Sequence, residues 1–421
     1  MAKILIVTYY WPPGSGAGVQ RWLKFSKYLP LSGWEPVILT VDSDYAAYPS
    51  VDKTLADEIS GDLKVYRTKA TDYFRFYKKD KSRIPSSGFA NNDNKSLTGK
   101  ILRFVRGNFF IPDPRKGWNK YAFSEACRII EKEGIKHIVT TSPPHSSQLI
   151  GLKIKNRFPD INWIADLRDP WTDIYYYHQF YHTPLAKKID QNYEKKVLLG
   201  ADTIITVGNS LKSLFSAKFP GIESKTEVIP NGYDNEDFTG LTPVYPEQFT
   251  ISYIGTLSDS YPVEGFLAAI KHLVNKGFNI RLRFTGTVSP SQRARILSES
   301  ANSPAEFIPY SDHHEAIRYM NESSVLLLII PDHHSNKSII TGKIFEYLAS
   351  EKPVLCIGPE DGDAAEILAA TSHGKCAGYD DKEGIIRILT GYYNEPQNSL
   401  KPAPPEFSRI NLTMKFAELL K

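Results

Sequence analysis

Cysteine is scarce in this chain: three in 421 residues, Cys127, Cys356 and Cys376, far apart and odd in number. That excludes a disulfide framework and fits a reducing compartment. Long apolar runs are missing too. The amino-terminal run covers only Ile4 to Val7, and the longest elsewhere is Val325 to Ile330. Both fall short of a secretory h-region and of a membrane span, so the reading is a cytoplasmic chain whose membrane contact, if any, is peripheral. A formal net charge of +4 is too small to argue for nucleic acid. Zinc spacing, a Walker lysine loop and a nucleophile elbow are absent. His313-His314 and His333-His334 are adjacent pairs whose side chains diverge, so no metal site is expected. Asp361-Gly362-Asp363 looks like an acidic metal pair, but Asp363 followed by Glu366 before an apolar helix reads as a capping box. Nor is a bound cofactor expected.

What the sequence does contain is alternation. Short apolar runs trade places with amphipathic segments from end to end, the pattern of parallel sheets covered by helices. At 421 residues the chain exceeds the growth limit of one core, so two α/β domains are expected. Strands are expected near Ile4–Thr8, Pro36–Val41, Ile135–Thr140, Trp163–Asp166 and Thr203–Val207. A second set follows at Phe249–Gly255, Ile280–Phe284, Val325–Ile330, Pro353–Ile357 and, more weakly, Cys376–Tyr379. Turn formers and prolines cluster from Ile229 to Pro246, which places the hinge there. The division is 1–232, 233–403, and a terminal stretch 404–421 whose helix, Ile410 to Leu420, either crosses back to the first domain or docks on its own. Its apolar residues are Ile410, Met414, Phe416, Leu419 and Leu420.

From 71 to 120 the alternation breaks. Twelve Lys/Arg stand against four Asp there, with aromatic residues between them. Such a segment suits an anionic lipid surface or an anionic acceptor. The bland alternative is a solvated loop with a helix, Leu102 to Phe110, that packs its rings inward.

Four segments carry candidate chemistry. Thr341-Gly342-Lys343-Ile344-Phe345-Glu346 reads as a helix start able to receive phosphate, with Lys343 and Glu346 on neighbouring points of one face. An ammonium for phosphate and a carboxylate for a diol together suit a nucleotide sugar. The turn Gly14-Ser15-Gly16-Ala17-Gly18 follows the first strand and opens a helix, and its glycines let backbone N–H groups approach a phosphate. Their spacing misses the dinucleotide fingerprint's third glycine, although Asp42 closes the second strand. The alternative there is a flexible connection. His145, in Ser142-Pro143-Pro144-His145, follows a strand and is either a helix-start hydrogen-bonding residue or a catalytic one. Arg168 and Asp169 end the strand Trp163–Asp166; either Asp169 orients Arg168 or takes an acceptor proton, or an internal Asp–Arg pair holds the strand end.

Together the glycine-rich first turn, the DLRDPW, VIPNGYD and YIGTL segments and the TGKIFEYLASEKPVL block resemble a GT-B glycosyltransferase of family four, in its polysaccharide and lipopolysaccharide branch. The resemblance implies two Rossmann-like domains facing across a cleft, and a metal-independent, retaining transfer of a hexose from a nucleotide sugar to a carbohydrate or lipid-linked acceptor. It implies that Glu346 binds the donor ribose and that Lys343, Thr341 and Gly342 hold the diphosphate. Gly255, Thr256 and Gly286 would line the donor loops, and Arg168, Asp169 and His145 the catalytic position. Departures are Ser338 where the first of two glutamates is usual, and Thr256 where a basic residue is common. A sugar-nucleotide epimerase of the same architecture and a non-catalytic sugar-nucleotide-binding protein are the alternatives.

Overall fold

A computed structural model describes residues 1–71, 73, 97–242, 244–300, 303–395 and 401–421. The chain forms two units, Met1–Asn231 with Arg409–Lys421, and Gly232–Ser408. The break falls inside the proline- and glycine-bearing turn VIPNGYD.

In the first unit seven strands form one sheet: β1 (Ala2–Val7), β2 (Trp34–Val41), β3 (Lys64–Thr68), β4 (His137–Ser142), β5 (Asn162–Leu167), β6 (Thr203–Thr206) and β7 (Thr226–Val228). Their order is β3-β2-β1-β4-β5-β6-β7, and every pairing is parallel. β1 explains why such strands read as unbroken apolar runs. Leu5 and Val7 enter one core and Ile4 and Ile6 the core on the opposite face, because successive side chains alternate across the sheet.

The second unit repeats the plan with β8 (Phe249–Ile254), β9 (Ile280–Thr285), β10 (Ala305–Ile308), β11 (Val325–Ile329), β12 (Val354–Ile357) and β13 (Gly374–Ala377), in the order β10-β9-β8-β11-β12-β13. Here too the pairings are parallel, and β11 divides Val325, Leu327 and Ile329 from Leu326 and Leu328 between two cores. Cys356 and Cys376, twenty positions apart in sequence, are register partners on β12 and β13, and both remain free thiols.

Three of these strands, β3, β7 and β10, are not anticipated by the sequence pattern. Each is an edge strand of three to five residues, only partly buried, so it carries no continuous apolar run. The capping box expected at Asp363 does not form. Gly362 holds the N-cap of the helix Asp363–Thr371 with no side-chain cap bond, and Asp361 is paired with Lys337.

The terminal helix, Arg409–Glu418, belongs to the first unit. Leu412, Phe416, Ala417 and Leu420 share a core with Trp22, Leu23 and Phe25 of the helix Ala17–Tyr28. The Phe416 ring lies edge-on to Trp22 at 5.4 Å and tilted to Phe25 at 6.0 Å. Lys415 Nζ donates to the Val228 carbonyl at 2.9 Å. Met414, read from sequence as apolar face, is instead solvent-exposed, and Leu412 and Ala417 take that role. Because Phe416 is fully buried and its ring meets two other rings, Phe416→Ala should cost the first unit about 3–5 kcal/mol. Urea unfolding followed by far-UV circular dichroism measures this; a loss under about 1 kcal/mol would mean the terminal helix is dispensable.

Candidate functional site

In both sheets the chain reverses its direction of strand addition at one point, between β1 and β4 in the first unit and between β8 and β11 in the second. Loops beyond the carboxyl ends of strands separate at such a point and leave room for a ligand. The sequence-predicted residues gather at these two places.

In the first unit the turn after β1 is ordered rather than a loose connection. Gly14 bridges to Val51, Asp52 N–H donates to the Pro13 carbonyl at 2.8 Å, and Ser15 Oγ donates to Ser50 Oγ at 2.6 Å. Gly16 adopts φ +106 as N-cap of the helix Ala17–Tyr28, a conformation that favours glycine. Gly18 lies against the Arg168 guanidinium: a Cβ there would sit 2.8 Å from Arg168 Nη2. Arg168 in turn donates from Nη2 to the Pro143 carbonyl at 3.3 Å. The glycine turn, the SPPH segment and Arg168 are thus one cluster.

His145 opens a short 3-10 turn, His145–Ser147, but supplies no cap. Asp113 does that work, accepting from Ser146 N–H at 2.8 Å and Ser146 Oγ at 2.9 Å. The His145 ring is stacked on Trp171, with centroids 4.9 Å apart and planes 15° apart. Its Nδ1 is buried without a hydrogen-bond partner among the described residues. Burial pushes its pKa down to about 4, with Asp113 opposing and Arg168 adding, so the ring is neutral at pH 7. Burial likewise raises Asp169 above the usual carboxylate range, against the pull of Arg168.

The Asp–Arg pair that holds the strand end exists, with different members. Asp166 on β5, fully buried, accepts from Arg21 Nη2 at 3.1 Å, Arg21 Nε at 3.3 Å, Trp22 Nε1 at 2.9 Å and Thr141 Oγ1 at 2.7 Å. Arg21 Nη1 reaches the Pro230 carbonyl at 2.7 Å. Arg168 and Asp169 stay half-buried at the strand's mouth. Alternation along β5 explains the difference: Asp166 points into the layer holding the helix Ala17–Tyr28, while the last two residues lie past the strand.

In the second unit Lys343, Gly255 and Gly286 converge. Gly255 (φ +124) and Gly286 (φ +118) follow β8 and β9, and a Cβ on Gly286 would sit 2.4 Å from the Gly255 carbonyl oxygen. A Cβ on Gly255 would lie 3.1 Å from Lys343 Nζ. The ammonium donates to Tyr253 Oη at 3.0 Å and lies 4.1 Å from that ring's centroid. Tyr253 Oη donates to the Thr256 carbonyl at 2.7 Å, which leaves it a lone pair for the lysine. Burial lowers Lys343 to about 7, with Glu346 opposing. Lys343 begins the helix Lys343–Ala349; Gly342, its N-cap, makes no side-chain cap bond, and the buried Thr341 Oγ1 has no partner among the described residues. Glu346 is half-buried on the same helix, one turn on. Ser338 is turned back on its own loop, donating to the Ser335 carbonyl at 3.2 Å.

Sequence reasoning missed several neighbours. Arg106, Arg115, Tyr10, Tyr176 and Trp171 line a cavity of ≈ 70 Å³ with His145. Arg106 and Arg115 stand inside the basic stretch 71–120 but carry no motif, and Tyr253 looks like any strand aromatic. Much of that stretch, 72 and 74–96, lies outside the described residues. Its helix runs Leu97–Phe109, longer than expected toward the amino terminus, and the inward-packing alternative fails for Phe104 and Phe109, which are exposed. Among the described residues no group of three or more His, Cys, Asp or Glu side chains comes together as a metal site, and no helix is long and apolar enough to cross a membrane.

Residues 80–237 match the family Glycosyltransferase Family 4. No curated protein matches the chain. Among solved structures, a glycosyltransferase from Rickettsia africae ESF-5 aligns at TM-score 0.61 with 16% identity, covering 100% of this chain and 97% of that one. The lipopolysaccharide outer core galactosyltransferase WaaB aligns at 0.61 with 10% identity over 99% of both chains. A UDP-GlcNAc 2-epimerase from Neisseria meningitidis, bound to UDP-GlcNAc, aligns at 0.55 with 13% identity, again over 99% of both. At such identities these likenesses speak to the fold, which is GT-B.

The glycine contacts can be told apart experimentally. Gly286→Ala drives a methyl into a backbone carbonyl at positive φ and should cost about 2–4 kcal/mol. Gly18→Ala meets only the far end of a flexible guanidinium and should cost under about 1 kcal/mol while displacing Arg168. Equal losses in urea unfolding would contradict the close approach at Gly255.

Proposed function

We propose that this chain, a GT-B protein with a Glycosyltransferase Family 4 segment, moves a sugar from a nucleoside diphosphate donor to a hydroxyl of a carbohydrate or lipid-linked acceptor, with retention, in cell-surface polysaccharide or glycolipid synthesis. The observation that carries this reading is the half-buried Lys343 ammonium beside Gly255 and the Thr341-Gly342 helix start. Its two remaining N–H directions and the backbone N–H groups of that start suit a diphosphate, and Glu346 suits the ribose hydroxyls. As the bond to the sugar breaks, charge grows on the departing diphosphate, and a positioned cation in a low-dielectric setting stabilises it without reorganising. In the first unit Asp169, raised by burial, is placed to take the acceptor hydroxyl's proton, and Arg168 is fixed beside it by Gly18 and Pro143. No metal or bound cofactor is part of this reading.

Peripheral attachment to an anionic membrane surface at the inner face of the cytoplasmic membrane belongs to the same proposal. Leu97, Ile101 and Phe104, spaced four and three apart, form an exposed apolar stripe on the helix Leu97–Phe109, within a stretch rich in Lys and Arg. Replacing all three with Ser should release the protein from phosphatidylglycerol vesicles in co-sedimentation; retention by the triple variant would remove the stripe from the account.

The fold shared with the epimerase supports a second reading, inversion of a centre on the donor sugar itself. Incubation with UDP-sugars and no acceptor decides between them: epimerised sugar nucleotide supports the second, and transfer only when an acceptor hydroxyl is supplied supports the first.

Lys343 gives the donor reading a pH signature. With its pKa lowered to about 7, the lysine is charged below that pH and neutral above it, so UDP binding should weaken as pH rises through about 7. Lys343→Arg should flatten the profile, and Lys343→Ala should weaken UDP about tenfold or more at pH 6. The stability trend runs the other way. Between about 7 and the ordinary lysine value of 10.5 the unfolded chain holds the extra proton, so Lys343 lets stability rise with pH across that window. Calorimetric titration of UDP from pH 6 to 9 is the measurement. An Arg variant with the same slope as the native protein would clear Lys343 of the role.

A further inference from the structure

At its switch point the second sheet comes apart, and the first does not. β1 stays paired with β4 from Ile4–His137 to Val7–Thr140, where β1 ends. Among the described residues β8 pairs with β11 at Ile251–Val325 and Ser252–Leu326 and no further, although both strands run on. On its other edge β8 stays paired with β9 through Ile254–Thr285. Continuing the β8–β11 register would set the Ile254 N–H against the Leu327 carbonyl. The Tyr347 hydroxyl occupies that place: it accepts from Ile254 N–H at 3.1 Å and donates to the Leu327 carbonyl at 3.4 Å. A side chain thus stands in the ladder where a direct bond between the strands would be, and both backbone groups stay satisfied.

Tyr347 and Lys343 are four positions apart on the helix Lys343–Ala349, so they project from one face. The lysine meets the same strand one residue earlier, at Tyr253. Both phenols are buried, and burial holds each above the ordinary tyrosine range, so each keeps its proton. A protonated Tyr253 has a single O–H, which goes to the Thr256 carbonyl, so toward Lys343 its oxygen can only accept. The lysine is thereby tied to the Gly255–Thr256 loop through a rigid ring, on whose face the ammonium also rests. Glu346, on the same helix, is the charged group that acts on it.

We infer that Tyr253 and Tyr347 are the positioning residues of the Lys343 site: Tyr347 wedges β8 from β11 and opens the crevice, and Tyr253 tethers the lysine beside Gly255. The inference rests on the donor reading for its ligand, a nucleoside diphosphate; the wedge and the tether stand on the second unit alone. Neither tyrosine is assigned a contact with the diphosphate. Each acts through what it holds in place, a strand in one case and the ammonium in the other.

Two measurements on the full-length protein need no ligand. Acetylation of Lys343 by acetic anhydride across pH, followed by peptide mass spectrometry, reads the lysine's own midpoint. An oxygen that can only accept favours the charged form, so Tyr253→Phe should lower that midpoint by about half a pH unit or more. Hydrogen exchange read at residue resolution should quicken about tenfold or more at Ile254 in Tyr347→Phe, with Ile251 unmoved. Should that variant fail to fold, the native chain decides: an amide bonded to a buried hydroxyl exchanges on the scale of the paired Ser252 amide, and a free one does not. UDP titration at pH 6 then joins both residues to the donor. Each variant should bind UDP about fivefold more weakly, and Tyr253→Phe should lose nothing further in a Lys343→Ala background, because it acts through the lysine. An unchanged Lys343 midpoint, or an equal UDP loss with and without Lys343, overturns the tether. Fast exchange at Ile254 in the native chain, or exchange there indifferent to Tyr347→Phe, overturns the wedge. A chain that ignores UDP yet meets both ligand-free expectations refutes the donor reading and leaves the positioning of Lys343 standing.

Discussion

The first unit depends on one desolvated carboxylate. Asp166 sits at the buried end of β5 and gathers the helix Ala17–Tyr28 through Arg21 and Trp22, strand β4 through Thr141, and the chain leaving β7 through Arg21 and Pro230. Its own carbonyl accepts from Gln148 at 2.8 Å, which ties in the helix after β4. Removing one partner of a buried, hydrogen-bonded ion pair leaves the other uncompensated, at a cost of about 3–5 kcal/mol. The consequence for the site is geometric. With Asp166 pinned, the next residues past the strand, Arg168 and Asp169, emerge at a fixed place, and the glycine turn that opens the pinned helix meets Arg168 there. A structural charge buried two residues before Arg168 sets where the proposed acceptor-side pair stands.

Both units use the same device to bring charge close to backbone. Gly18 admits the Arg168 guanidinium, and Gly255, itself pressed by Gly286, admits the Lys343 ammonium. The cations differ, and the difference follows from their chemistry. An arginine keeps its charge when buried, so Arg106, Arg115 and Arg168 hold a permanent positive field in the first unit. A lysine loses its proton under the same desolvation, and Lys343 sits near the midpoint of that loss. In the proposed reaction a nucleotide diphosphate arriving at Lys343 draws a proton on as it binds.

The strands at the centre of each sheet were legible because burial on both faces demands unbroken apolar runs; β8, β11 and β12 follow the sequence pattern within one residue and β1 within two. The edge strands β3, β7 and β10 were not, since a half-exposed strand of three to five residues imposes no such demand. At the sites, legibility followed backbone constraint. Gly18, Gly255, Gly286 and Lys343 were visible as glycine turns and a lysine at a helix start; Gly255, Gly286 and Lys343 do converge in the second unit, and Gly18 meets Arg168 in the first. Arg106 and Arg115 were hidden, because a guanidinium reads as surface charge until a ring such as Phe180 and a close glycine such as Gly107 are seen to enclose it. The Asp–Arg pair was foreseen as a type and misassigned as a pair, because only the alternation of β5 against a helix 145 residues away decides that Asp166, and not Asp169, is the partner of an arginine.

That assignment bears on which group acts as base in the proposed reaction. A histidine in a cleft is the usual first choice, yet His145 is flat against Trp171 and held near a pKa of about 4, so taking a proton means charging a buried ring with Arg168 nearby. Asp169 has the opposite problem. Burial raises it, which strengthens it as a base, against the opposing pull of Arg168. The same desolvation shifts the two groups in opposite directions, each away from its charged form. The carboxylate is suited to removing a proton from an acceptor hydroxyl, and the imidazole to donating or accepting a hydrogen bond without changing charge. Had Asp169 been consumed in the structural pair that Asp166 makes with Arg21, the strand end would hold no such base, so the fold's use of Asp166 is what leaves its neighbour available for the proposed role.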